Sequence, residues 1–102
     1  MELWQYMLRE MWICTNCGFV ATGLYSFKDY CDNKPTHNFL RFNIYDYQDE
    51  PLTYRTSDIE CARFVLINRF LDILEKNLKY DPDYLKLIDM AKRRLLEEVL
   101  NK

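Results

Sequence analysis

Apolar and polar positions change period twice along this chain, and each stretch predicts its own element. In residues 2–11 the apolar side chains Leu3, Trp4, Met7, Leu8 and Met11 recur at 3, 4, 7, 8 and 11. That spacing fits a period of 3.6 and predicts a short N-terminal helix. Short helices are marginal alone, so this one is expected to pack against the domain's own core. In residues 39–47 the period falls to two. Leu40, Phe42 and Ile44 share one face, and Arg41, Asn43, Tyr45 and Tyr47 share the other with Phe39. Such alternation predicts a half-buried strand, with segments 11–14 and 18–27 as its partners in a small antiparallel sheet.

From residue 57 onward the helical period returns. Ser57-Asp58-Ile59-Glu60 reads as a capping box in which Ser57 caps the Glu60 amide. The helix that follows is expected to end near Lys79. Its apolar positions Ile59, Ala62, Val65, Leu66, Ile67, Phe70, Leu71, Ile73, Leu74 and Leu78 spread over more than a narrow stripe. A helix apolar on several sides needs several neighbours, here the sheet and a last helix. Asp81-Pro82 marks the break, with Asp81 as N-cap and Pro82 in the first helical position. In the last helix Tyr84, Ile88, Ala91, Leu95 and Val99 line one stripe, flanked by Leu87 and Leu96. The short connection makes the two helices an antiparallel hairpin. Their outer stripes are also compatible with a homodimer, which no single residue forces. The whole reads as one α+β domain over residues 1–102.

Chemistry enters at Cys14-Thr15-Asn16-Cys17-Gly18-Phe19. Two thiols separated by two residues can turn their sulfurs toward one point, and glycine after the second accepts a positive φ without steric cost. The stretch Trp12 to Phe19 resembles the knuckle of rubredoxins and zinc ribbons. In those families a second knuckle supplies the other two ligands, and this chain has no second CxxC. The remaining donors are Cys31 and His37, in the polar loop Asp29–His37, and Cys61. The spacing of Cys14, Cys17, Cys31 and His37 suits a tetrahedral Cys₃His zinc site. Cys61 lies in the first turns of a predicted helix beside Ile59, Ala62 and Val65. It reads first as a small core hydrophobe and second as a replacement for His37. Four protein ligands leave no open position for a substrate, so a zinc here is structural.

The same cysteines have two other readings. A thioredoxin-like dithiol opens a helix, whereas the residues after Cys17, Gly-Phe-Val-Ala-Thr, look strand-like. A disulfide scaffold belongs to secreted chains. The start Met1-Glu2-Leu3-Trp4 lacks a basic segment followed by a long apolar core, so a cytoplasmic chain with reduced thiols is expected.

A net charge of −2 argues against sequence-independent nucleic-acid binding, which needs concentrated lysine and arginine. Lys92-Arg93-Arg94 is the one dense basic run, and Glu97 and Glu98 follow at helical spacing to neutralise it. A regulator that contacts nucleic acid would need Lys28, Lys34, Arg41, Lys92, Arg93 and Arg94 on one face. No apolar run is long enough to span a bilayer.

The opposite charge is concentrated in Tyr45-Asp46-Tyr47-Gln48-Asp49-Glu50-Pro51-Leu52-Thr53-Tyr54. Tyrosine gives large contact area at small entropic cost, and the three carboxylates suit a basic partner. Tyr45, Asp46, Tyr47, Asp49, Glu50 and Tyr54 are therefore the candidate partner-binding residues. The bland reading is a solvated strand end whose tyrosines lie against the sheet. No enzyme is expected. The single histidine restricts nucleophilic triads to His37, and phosphate loops, HExxH and dinucleotide fingerprints are missing. These features together predict a small zinc-stabilised domain that binds another protein. By analogy of size and charge it is similar to the accessory or inhibitory proteins of phage and mobile elements.

Overall fold

The computed structural model describes residues 2–22 and 38–100. Cys31, His37, Lys28, Lys34 and the end of the expected 18–27 strand lie outside the described residues. The described chain runs β1 (Trp4–Leu8), β2 (Glu10–Cys14), β3 (Val20–Thr22), β4 (Phe39–Asn43), a 3₁₀ turn (Ile44–Asp46), β5 (Leu52–Thr56), α1 (Ile59–Asn77) and α2 (Pro82–Leu100). It is an α+β architecture with small antiparallel sheets and a helical hairpin.

The expected N-terminal helix is replaced by strands. Residues 4–14 are extended and broken only at Arg9, where β1 ends and β2 begins. β1 pairs antiparallel with β5, from Trp4 opposite Thr56 to Leu8 opposite Leu52. β2 pairs antiparallel with β4, from Glu10 opposite Asn43 to Cys14 opposite Phe39, and with β3 on its other side. The two sheets are arms of one bent hairpin. At its corner Arg9 alone faces residues 44–51, and the Ile44 amide donates to the Arg9 carbonyl at 2.8 Å. The corner also explains the false helical period. Leu8 is buried on the even-numbered side of β1, while Met11 and Ile13 are buried on the odd-numbered side of β2. A change of face in mid-segment breaks the period of two and leaves a spacing that mimics a helix. Leu3, Trp4 and Met7, assigned to the helix's buried side, are among the exposed apolar residues.

β5 adds a strand beyond those the pattern predicts, although Leu52-Thr53-Tyr54-Arg55-Thr56 alternates between half-buried and exposed positions. β4 is shorter than the pattern suggests. It stops at Asn43, whose side-chain oxygen accepts from the Tyr45 amide at 3.0 Å and caps the 3₁₀ turn. The three residues Leu40, Phe42 and Ile44 still point inward.

α1 is the central element. Ala62, Leu66, Ile67, Phe70, Leu71 and Leu74 are fully buried, each large apolar side chain contributing about 1.5–3 kcal/mol by leaving water. The helix packs on β5 and β1 along one side and on α2 along another. Its cap is Asp58, not Ser57: the Asp58 carboxylate accepts from the Glu60 amide at 2.9 Å. The Asp58 amide in turn donates to the Thr56 hydroxyl at 3.2 Å. A charged acceptor also suits the positive end of the helix dipole better than a hydroxyl does.

α2 begins as its sequence predicts. Pro82 is the first helical residue, and the Asp81 carboxylate accepts from the Asp83 and Tyr84 amides at 3.1 and 3.3 Å. Leu87, Ile88, Ala91 and Leu95 are buried, and Tyr84 meets the Phe42 ring edge-on at 6.1 Å. Val99, expected on the same buried stripe, is 42% exposed. The basic run is used within the fold. Lys92 donates to Asp72 and Glu75 of α1 at 3.0 and 2.9 Å, and Arg93 pairs with Asp89 one turn upstream. Glu98 pairs with Arg63 of α1 at 2.6 Å, so it does not serve the Lys92–Arg94 run as its spacing suggests.

Candidate functional site

Two local structures carry the residues singled out by the sequence. The first is the knuckle between β2 and β3. Cys14 closes β2, and Thr15, Asn16 and Cys17 form a tight turn. The Gly18 amide donates to the Cys14 carbonyl at 2.8 Å, and the Cys14 amide donates to the Phe19 carbonyl at 2.9 Å. Closing so short a loop requires φ of +78° at Gly18, which a Cβ would oppose. Gly18 also faces Met90 of α2 so closely that an added Cβ would lie 2.7–2.9 Å from Met90 atoms.

Phe19 fixes the other side of the turn. Two guanidinium groups lie over its ring, that of Arg63 of α1 at 5.6 Å and that of Arg94 of α2 at 5.8 Å from the centroid. Cations over an aromatic face are attracted by its quadrupole. Arg63 additionally donates to the Val20 carbonyl at 2.7 Å. The knuckle is therefore bolted to both helices.

Cys14 is fully buried with Ala21, and Cys17, Trp12, Phe19 and Phe39 pack on that pair. The fold thus brings Cys14 and Cys17 into one small cluster. Cys61 sits half-buried on α1 and outside that cluster. Cys31 and His37 lie outside the described residues. Among the described residues no disulfide joins Cys14, Cys17 or Cys61, and no group of three or more His, Cys, Asp and Glu gathers to hold a metal.

The second structure is the acidic turn at the corner of the bent hairpin. Ile44 is its buried anchor, with the Tyr47 and Gln48 amides donating to the Ile44 carbonyl at 2.9 and 3.0 Å. The Gln48 side chain donates to the Glu50 carbonyl at 2.6 Å and folds the loop onto itself. Tyr45, Asp46, Asp49 and Glu50 remain exposed together. Among the described residues none of the ion pairs involves these three carboxylates. Arg41, whose charge Asp46 reinforces, is held by Glu10 at 2.5 Å. Tyr47 and Tyr54 turn the other way. Both pack half-buried against the main core, and Arg69 lies 5.5 Å over the Tyr54 ring. Burial, then the neighbouring Asp46 charge, pushes the Tyr47 phenol above its ordinary range. Of the six candidate partner-binding residues, four are exposed and two, Tyr47 and Tyr54, are half-buried against the core.

An apolar groove of about 500 Å³ runs between the knuckle and the start of α2, floored by Leu40, Tyr84, Leu87 and Met90, with Asp81, Asp83 and Lys86 at its rim. No sequence pattern announces it, because its walls come from segments far apart in the chain. Among the described residues no helix is long and apolar enough to cross a membrane. Comparison with protein-family models, with curated proteins and with solved structures finds no match.

Proposed function

We propose that this chain is a small protein-interaction domain of the accessory or inhibitory type, which docks its acidic turn on a basic surface of another protein. The observation that carries the reading is the arrangement of Tyr45, Asp46, Asp49 and Glu50. They form one exposed surface on a turn that Ile44 and the Arg9–Ile44 hydrogen bond hold rigid. Presentation on an anchored turn lowers the entropic cost of docking, and carboxylates that no ion pair among the described residues engages steer a cationic partner. A structural zinc held by Cys14 and Cys17, with Cys31 and His37 as the other ligands, completes the proposal. Its support is the convergence of Cys14 and Cys17 in one cluster at the end of β2.

Two rival readings fare less well. A nucleic-acid regulator needs its cations on one free face. Arg41 is paired with Glu10, Lys92 with Asp72 and Glu75, Arg93 with Asp89, and Arg94 lies over Phe19. A redox dithiol is activated at a helix start, whereas Cys14 and Cys17 flank a turn between strands.

The test is charge reversal of the turn by Asp46→Lys, Asp49→Lys and Glu50→Lys together. All three side chains are exposed, so folding should be preserved. Affinity capture by the wild type from cells that express it is expected to recover a partner that the triple variant loses. Retention of that partner by the variant would sink the proposal. Gain of duplex DNA or RNA binding by the variant, without loss of a protein partner, would favour the nucleic-acid reading.

A further inference from the structure

Among the described residues the sheet of β1 has two strands, and no strand pairs with the other edge of β1. Free edges are normally guarded by lysine, proline or a bulge. From Leu3 to Leu8 this one reads Leu-Trp-Gln-Tyr-Met-Leu, with no charge and no proline. Leu3 is 60% exposed, Trp4 59% and Met7 39%. α1 lies chiefly over β5 and to a lesser extent over β1.

Backbone polar groups alternate along β1 between the ladder with β5 and the other edge. The Thr53 carbonyl accepts from the Arg69 guanidinium of α1 at 3.2 Å. In an antiparallel ladder a residue and its register partner turn their amide and carbonyl either toward each other or both away. Gln5 and Met7, opposite Arg55 and Thr53, share one of these two states by alternation.

We infer that β1 is a homodimerisation strand, pairing antiparallel with β1 of a second copy about a two-fold axis through Gln5. This register places Gln5 opposite Gln5, Leu3 opposite the second copy's Met7, and Trp4 opposite the second copy's Tyr6. The exposed Leu3 and Met7 then cover each other on the outer face. Trp4 gains an aromatic cross-strand partner on the inner face, the kind of pair that stabilises sheets. Two ribbons that are marginal alone become one four-stranded sheet. The next register, two residues along, is worse. It sets Glu2 against Glu10 and Leu3 against Arg9, and the Arg9 carbonyl is already taken by Ile44. The contact is isologous and closes, so it does not propagate into a filament. Neither the acidic turn nor a metal takes part in this pairing.

Sedimentation equilibrium of the purified chain tests it, with Met7→Lys and Gln5→Cys as variants. The wild type is expected to be a dimer, and Met7→Lys a monomer with unchanged far-UV circular dichroism. Gln5→Cys is expected to form a disulfide-linked dimer on mild oxidation, because residues facing each other across the axis lie about 4.5–5.5 Å apart. Met7→Cys, which faces Leu3 and not itself, should not. A wild type that stays monomeric at every concentration would overturn the inference. So would a dimer that Met7→Lys leaves intact and Leu96→Lys, on α2, disrupts. If Met7→Lys misfolds, the contrast in cross-linking between Gln5→Cys and Met7→Cys, both read against the wild type, decides alone.

Discussion

Gly18 lies against the backbone of Met90. A Cβ built on Gly18 would fall 2.8 Å from the Met90 carbonyl oxygen and 2.9 Å from its carbonyl carbon, besides 2.7 Å from Cγ. The glycine is therefore required twice, by its positive φ and by the helix it touches. Gly18→Ala is expected to lower stability by about 2–4 kcal/mol, combining left-handed strain with overpacking. Urea denaturation measures it. Adding Met90→Ala should recover only part of the loss, because two of the three close atoms belong to the backbone.

Arg63 is the second bolt, and its replacement distinguishes geometry from charge. Its side chain is only 12% exposed and makes hydrogen bonds to Glu98 and to the Val20 carbonyl. Arg63→Ala is expected to cost about 2–3 kcal/mol, the usual range for losing charged hydrogen bonds at a partly buried site. Arg63→Lys should recover little of this, since an ammonium cannot reproduce the fork. Equal stability of the lysine variant and the wild type in urea would show that charge alone suffices.

The Glu10–Arg41 pair gives a pH signature. The hydrogen bond from Arg41 holds the Glu10 carboxyl below its ordinary value of 4.5, with desolvation opposing and the Arg41 charge assisting. A carboxyl whose folded pKa lies below its unfolded one stabilises the fold above the unfolded value. That contribution is lost as pH falls through the folded value. Both groups are open to solvent, so the readout is the titration itself. In Arg41→Gln the Glu10 carboxyl is expected to return toward 4.5, as followed by carbon NMR, and an unmoved titration would refute the assignment.

The metal proposal is tested by native mass spectrometry of protein purified without chelator. Wild type is expected to carry one zinc per chain and Cys17→Ser none, with chelation lowering the melting temperature. His37→Ala and Cys61→Ser then identify the fourth ligand, since only loss of a true ligand removes the ion. Wild type that carries no metal would end the zinc proposal and leave the acidic-turn proposal standing.

Much of this protein is written locally. Asp81 and Pro82 start α2 because capping and a fixed φ act within one turn. A local cap also opens α1, but it is Asp58 and not the Ser57 that the capping-box pattern names. Gly18 after Cys17 marks the turn between β2 and β3, since that turn uses a positive φ. The alternation of Leu40, Phe42 and Ile44 likewise places their inward face.

The rest depends on partners far along the chain. Residues 4–14 have a helical spacing, yet they are strands, because β5 and β4 supply ladders that a lone helix could not match. The change of face between Leu8 and Met11 conceals their period of two. Tyr47 and Tyr54 share a stretch with Tyr45, Asp46, Asp49 and Glu50, and only packing against the core separates the half-buried rings from the exposed surface. The docking of the knuckle on Arg63, Met90 and Arg94 is equally non-local. Caps and turns act over a few residues and can be read in order. Ladders, buried faces and docked rings are set by whichever segment folding brings alongside.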